Sequence, residues 1–249
     1  MLKPASFRDD FAIAAGIDPA FIARKARYAE GGQTLSSEHF TLRCISSASV
    51  KDLESVLANS EAVRQDLLGR LDRASLSVGG DAKVRLVFHG TTQEFMAATG
   101  QPWWAAAATQ GTSIELQPLA LLKRRGILLT TVRHEYAHYV IDRLSNGKAP
   151  RWLAEGLAAY VAGEAAMLAS YKNPHPLSNA EIERRLSQAS SPKEMRSLYA
   201  DCLEAVEKLI RSGGEAAVWR QVATPVRSGQ TAPILERTDR LKAGLGIAS

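Results

Sequence analysis

Residues 127–158 read Ile127-Leu128-Leu129-Thr130-Thr131-Val132-Arg133-His134-Glu135-Tyr136-Ala137-His138-Tyr139-Val140-Ile141-Asp142-Arg143-Leu144, then Ser145-Asn146-Gly147-Lys148-Ala149-Pro150, then Arg151-Trp152-Leu153-Ala154-Glu155-Gly156-Leu157-Ala158. The first run holds no Gly or Pro and predicts one helix over 127–144. Gly147 and Pro150 stop it, and a second helix is expected over about 152–168. A turn this short makes the two helices antiparallel neighbours. His134, Glu135 and His138 form an H-E-x-x-H pattern inside the first helix. Side chains four apart lie one above the other on a helix, so the two imidazoles can share one zinc ion at about 2.0–2.1 Å. Glu135, roughly 100° around the helix, is then near the metal without binding it, where a general base for a zinc-held water belongs. The bland reading is a pair of surface histidines with an ion-paired Glu.

A catalytic zinc needs a third protein ligand and one open position. Glu155 is the candidate. His138 lies about two turns before the first helix ends and Glu155 about one turn into the second, so antiparallel packing brings them abreast. Trp152, Leu153, Leu157 and Ala158 surround Glu155 with apolar neighbours, where an unpaired carboxylate would be costly and a metal would neutralise it. Its alternative is a solvated helix residue.

Upstream the periodicity changes. His39 to Cys44 and Lys83 to Phe88 alternate with period two and read as strands. Between them Leu53, Val56, Leu57, Val63, Leu67, Leu68 and Leu71 recur at the intervals of a long amphipathic helix. A short helix near Gln93 to Ala98 and a third strand over Thr112 to Gln117, closed by Pro118, complete this half. Downstream, Ser178 and Ser191-Pro192 open helices over about 178–188 and 192–211, and Gly213-Gly214 stops the second. Asn173-Pro174-His175-Pro176 is a rigid loop. Strands first and helices afterwards predict an α+β fold, with a small mixed sheet, a helical subdomain and the motif helix between them. Residues 1–36 read as a helical lead-in, opened at Asp18-Pro19 and ending in the loop Gly31-Gly32-Gln33, and 223–249 as a poorly specified tail rich in Pro, Gly and Ser.

The 249 residues are 45% hydrophobic and 23% charged, the balance of a globular protein large enough to fold without a metal or disulfide staple. The apolar runs 127–131 and 157–169 are too short, or too broken by Glu164, for a membrane span. The formal charge is +5, but Arg24-Lys25, Lys123-Arg124-Arg125 and Arg184-Arg185 are scattered and only 6% of residues are aromatic. Nucleic acid is therefore not the expected partner. Cys44 and Cys202 match no metal or redox spacing, leaving a disulfide or two buried thiols. The first residues lack the charged and apolar regions of a signal peptide, which leaves the compartment open between the cytoplasm and an exported form whose leader was removed.

The pattern His134-Glu135-x-x-His138, with sixteen residues before Glu155 in Trp152-Leu153-x-Glu155-Gly156-x-Ala158, resembles the gluzincin zinc metallopeptidases, closest to the peptidase MA-like family. Ser37-Glu38-His39-Phe40-Thr41, Phe95 to Pro102 with Trp104, and Ile114-Glu115-Leu116 resemble that family's first strand, its strand-to-helix turn and its edge strand. Leu198-Tyr199-Ala200-Asp201-Cys202 resembles the helix on which the distantly similar M1 aminopeptidases carry an oxyanion-stabilising tyrosine. The resemblance implies a zincin-like catalytic domain over 37–222, with zinc on His134, His138 and Glu155, and Glu135 and Tyr199 as catalytic residues. It departs where M1 enzymes place Asn before the Glu ligand, here Ala154, and in lacking their Gly-Ala-Met-Glu-Asn stretch. Thermolysin-like enzymes orient the first His with an Asp four positions after the Glu ligand, here Ala159, so the partner of His134 stays unassigned.

The implied activity is hydrolysis of peptide bonds. Zinc lowers the pKa of its water to about 7 and polarises the scissile carbonyl, while Glu135 moves the proton to the leaving amine. The strand Thr112 to Gln117 is expected to pair with an extended peptide or protein substrate. Trp103 and Trp104 either wall that cleft or fill the core, Tyr199 is either the oxyanion donor or a core residue, and His175 is either a further donor or a plain loop histidine. His39 and His89 carry no ligand spacing. The rival reading is a zinc-binding interaction or sensing module on the same fold, without turnover. A purely structural zinc would have four ligands and a closed site.

Overall fold

Alternating apolar residues build the sheet. In β3 (Phe40–Cys44) and β4 (Val84–Phe88), Phe40, Leu42 and Cys44 and Val84, Leu86 and Phe88 point to one face and are buried. These strands pair in parallel, joined by α1 (Val50–Arg73), whose Ser49 cap accepts a hydrogen bond from Asp52 N at 3.1 Å. The computed structural model describes residues 27–29, 32–79 and 82–224. Within them a six-stranded mixed sheet has the order β1-β2-β3-β4-β6-β5, with β1 (Arg27–Ala29), β2 (Gly32–Ser36), β5 (Ala107–Gln110) and β6 (Ser113–Leu116). β1 and β2 form an antiparallel hairpin beside β3, β6 runs parallel to β4, and β5 returns antiparallel to β6. The architecture is mixed α+β.

Helices follow in sequence: α2 (Thr92–Thr99) between β4 and β5, then α3 (Leu119–Arg124), α4 (Leu128–Ser145), α5 (Arg151–Ala162), the short α6 (Ala165–Leu168), α7 (Asn179–Leu186), α8 (Pro192–Gly213) and α9 (Glu215–Ala223). The motif helix α4 packs against α1, β5, α5 and α9. Contact on several sides explains why its sequence shows no single apolar stripe. The main core joins the inner sheet face to α1 and α4, with Phe40, Leu86, Ile114, Leu57, Val132 and Ile141 among its fully buried members. Among the described residues no helix is long and apolar enough to cross a membrane.

Four expectations are corrected. Residues 27–29 and 32–36 are strands rather than the end of a helical lead-in, because the pairing of β2 with β3, and of β1 with β2, outweighs a local sequence with little alternation. The helix start at Asp18-Pro19 and the tail from 225 lie outside the described residues. β5 was not anticipated: Ala105 to Ala108 is a run of the best helix former, and only its pairing with β6 makes part of it extended. β6 is flanked by β4 on one side and β5 on the other, so it cannot receive a peptide strand. Finally, the helix expected over 152–168 ends at Ala162, where Gly163 adopts the left-handed conformation with φ of 74°.

Candidate metal centre

His134 and His138 stand one turn apart on α4, both buried, with Nε2 atoms 3.0 Å apart. Asn146 closes α4 in the left-handed conformation, φ 52°, and Pro150 precedes α5. The resulting hairpin brings Glu155 alongside. Its Oε2 lies 3.1 Å from His138 Nε2 and 3.4 Å from His134 Nε2.

Three ligand atoms thus form a triangle with edges of 3.0, 3.1 and 3.4 Å. Tetrahedral bonds of about 2.0–2.1 Å require ligand separations of about 3.3–3.4 Å, so the triangle fits one small divalent ion. Two facing imidazole nitrogens are also poor partners for each other unless one carries a proton. The set of two nitrogens and one carboxylate oxygen suits zinc or a neighbouring transition metal.

Glu164 is the partner that the sequence left unassigned. Its Oε1 lies 3.1 Å from His134 Nδ1, so the ring donates there and turns the Nε2 lone pair toward the cluster. The left-handed turn at Gly163 makes this possible, because an unbroken helix would carry residue 164 onward along α5. The available signal was a single charge interrupting the apolar run 157–169. His138 Nδ1 is buried and has no hydrogen-bond partner.

The charges of the cluster are mutually supporting. Desolvation opposes charge on His134, but the carboxylates of Glu164, Glu155 and Glu135 outweigh it and hold the imidazole well above its usual pKa. Burial likewise opposes the Glu155 carboxylate, yet the two imidazoles keep it well below the usual range. A metal ion can replace the proton that this arrangement retains.

Glu135 is absent from the ligand triangle. The Thr109 hydroxyl, on β5, lies 2.7 Å from Glu135 Oε2 and donates to it. This contact ties the expected base to the edge of the sheet, and no sequence spacing announced it. Gln117 N–H donates to Ala106 C=O, so the hydrogen-bonded pairs are Ala106 with Gln117, Ala108 with Glu115 and Gln110 with Ser113. The backbone groups of Ala107 and Thr109 consequently turn away from β6, to the side of β5 where no strand pairs among the described residues, beside α4.

Tyr199, on α8, is the second expected catalytic residue. Its ring centroid is 6.1 Å from that of His134. Burial, and the nearby Glu155, Glu135 and Glu164 carboxylates, push its phenol well above its usual pKa and keep it a neutral donor. α8 reaches this place by packing closely on α5 at Gly156.

The other candidates lie elsewhere. His39 pairs with Glu61 at 2.8 Å, and Glu61 also accepts from Ser37. His89 pairs with Glu115 at 2.8 Å. His175 is exposed in its loop. Trp103 is 56% exposed and packs edge-on against Trp104, which excludes it from the core. Gln117 Nε2 donates to the carbonyls of Trp103 and Ala105 and so fixes the segment that leads into β5. Cys44 and Cys202 are both free and buried, so the thiol reading holds and the disulfide does not. Compared with models of known protein families and with curated proteins, the chain matches none of them.

Proposed function

We propose that the protein is a zinc-dependent peptidase of zincin-like fold, which hydrolyses peptide bonds in extended substrates. The observation that carries this reading is the convergence of His134 Nε2, His138 Nε2 and Glu155 Oε2 within 3.4 Å, with Glu135 beside them but outside the triangle. A purely structural site is closed by four protein ligands, whereas here three converge and the Glu135 carboxylate stands outside them. Zinc bound there would supply Lewis acidity, making water acidic and a carbonyl electrophilic.

The chain's own residues supply the rest. Glu135 accepts the proton of the attacking water and returns it to the leaving amine. Tyr199, a neutral phenol, donates to the oxygen that gains charge in the transition state. Glu164 keeps the His134 ring in one tautomer and orientation. The outward N–H and C=O groups of Ala107 and Thr109 pair with an extended peptide, so β5 takes the substrate-binding role first expected of β6.

Metal analysis and a mixed peptide library test the proposal together. One zinc per chain is expected, lost in Glu155→Ala, with turnover abolished in Glu135→Gln although its zinc is retained. Turnover that survives Glu135→Gln would overturn the mechanism. Zinc retained without cleavage of any peptide would favour the interaction or sensing module.

A further inference from the structure

Gly156 directly follows the proposed ligand Glu155, and at this point α5 and α8 meet backbone to backbone. A Cβ built on Gly156 would overlap the carbonyl oxygen of Cys202 and lie 2.7 Å from both the Cys202 carbonyl carbon and Val206 Cγ2. Two of these obstacles are helix backbone, so no rotamer change relieves them. Gly156 sits within α5 and needs no unusual conformation. The requirement is space alone.

The consequence falls on Tyr199. Cys202 follows it by three residues, nearly one turn of the same helix, so whatever displaces the Cys202 carbonyl displaces the phenol. Glu155 stays with α5, whose register against α4 is set by the hairpin at 145–150. A side chain at position 156 therefore separates Tyr199 from the ligand cluster while leaving that cluster intact. We propose that Gly156 is a positioning residue for Tyr199, setting the distance between α8 and the metal ligands at which the phenol can donate to an oxyanion. The inference rests on the reading of the cluster as a hydrolytic zinc site.

Distance is the sensitive variable. A hydroxyl donor works within about 2.5–3.0 Å of its acceptor, and a misplacement of about 1 Å can cost roughly a hundredfold in transition-state stabilisation. Simple packing would not need a glycine here, since helices carrying alanine at their contacts pack well at about 8–10 Å between axes. The neighbouring contact on the same side of α5 does use alanine: Ala159 packs with Ala200 and Leu203 of α8.

The test uses the full, zinc-loaded chain and two kinds of probe. Phosphinic tripeptides bearing Ala, Leu or Phe present a tetrahedral oxyanion, and the matched hydroxamates bind zinc without one. Tyr199→Phe is expected to weaken the phosphinic peptides about a hundredfold and the hydroxamates at most a few-fold. Gly156→Ala should do the same at one zinc per chain, and the double variant should be no weaker than either single one. Should Gly156→Ala not fold, Val206→Ile presses on the same contact more gently and should give a smaller loss that vanishes in the Tyr199→Phe background.

Additive losses, or phosphinate binding by Gly156→Ala equal to the parent, would overturn the inference while leaving the zinc site standing. A parent that binds zinc but no phosphinic peptide, or a Tyr199→Phe variant without effect, would overturn the hydrolytic role of Tyr199 and this inference with it.

Discussion

Glu164 acts on the centre through one atom, the carboxylate oxygen 3.1 Å from His134 Nδ1. Carboxylate partners of metal-bound histidines typically contribute 10- to 100-fold in metal affinity. Glu164→Ala is therefore expected to weaken zinc binding by about that factor with far-UV circular dichroism unchanged, measured by competition with a chromophoric chelator. Equal affinity would mean that His134 is oriented by something else. Asp201 gives a second residue-scale prediction. It is 2% exposed, one carboxylate oxygen accepts from Asn173 at 2.6 Å and the other has no partner. Burial raises its pKa, against the lowering effect of Asn173. A carboxyl group whose pKa is raised in the folded state binds protons better there, so its stabilising contribution is present below the unfolded pKa and lost as pH rises through the folded one. Asp201→Asn should accordingly raise Tm at pH 7, and the gain should shrink as pH falls toward 3.5. A variant less stable at pH 7 would show that the charged form is needed.

At the scale of elements, the break after α5 matters as much as the helices. Gly163 has φ of 74° and open space where a Cβ would be, so the effect of a side chain is conformational strain rather than collision. Gly163→Ala should cost about 1–2 kcal/mol, which for a chain of this size lowers Tm by roughly 2–4 °C per kcal/mol. Zinc affinity should fall alongside, because Glu164 is placed by this turn. Gly163→Asn, more tolerant of the left-handed region, should retain more of both. Calorimetry and the chelator titration separate the two effects. Most helices and the strands near 40–44, 84–88 and 113–116 were legible from periodicity and caps: Ser178 and Ser191 both accept the backbone N–H bonds expected of them. β5 was not legible, because its alanines carry no strand signal and its conformation depends on β6.

For the whole molecule, the proposed centre joins four parts of the chain: α4 carries His134, His138 and Glu135, α5 carries Glu155, α8 carries Tyr199, and β5 bonds Glu135 through Thr109. Zinc that binds only this assembled arrangement stabilises the folded state by RT ln(1 + [Zn]/Kd), about 2.7 kcal/mol at a hundredfold excess over Kd. Thermal unfolding should therefore shift upward by roughly 5–10 °C with zinc. The shift should disappear in Glu155→Ala. A zinc-dependent shift of the same size in that variant would place the stabilising ion elsewhere.

That His134, His138 and Glu155 converge as a possible ligand set was readable from sequence because each position depends on spacing along one helix or across one short turn. Helix geometry converts such spacing into position without reference to the rest of the chain. The contacts that complete the site depend on elements distant in sequence. Glu164 reaches His134 only after the chain reverses at Gly163, Thr109 reaches Glu135 only because β5 pairs outside β6, and Tyr199 comes near His134 only because α8 packs against α5. Sequence periodicity records which face of an element is buried, but not what it is buried against. Here the second fact was decided by packing between helices and by pairing at the sheet edge.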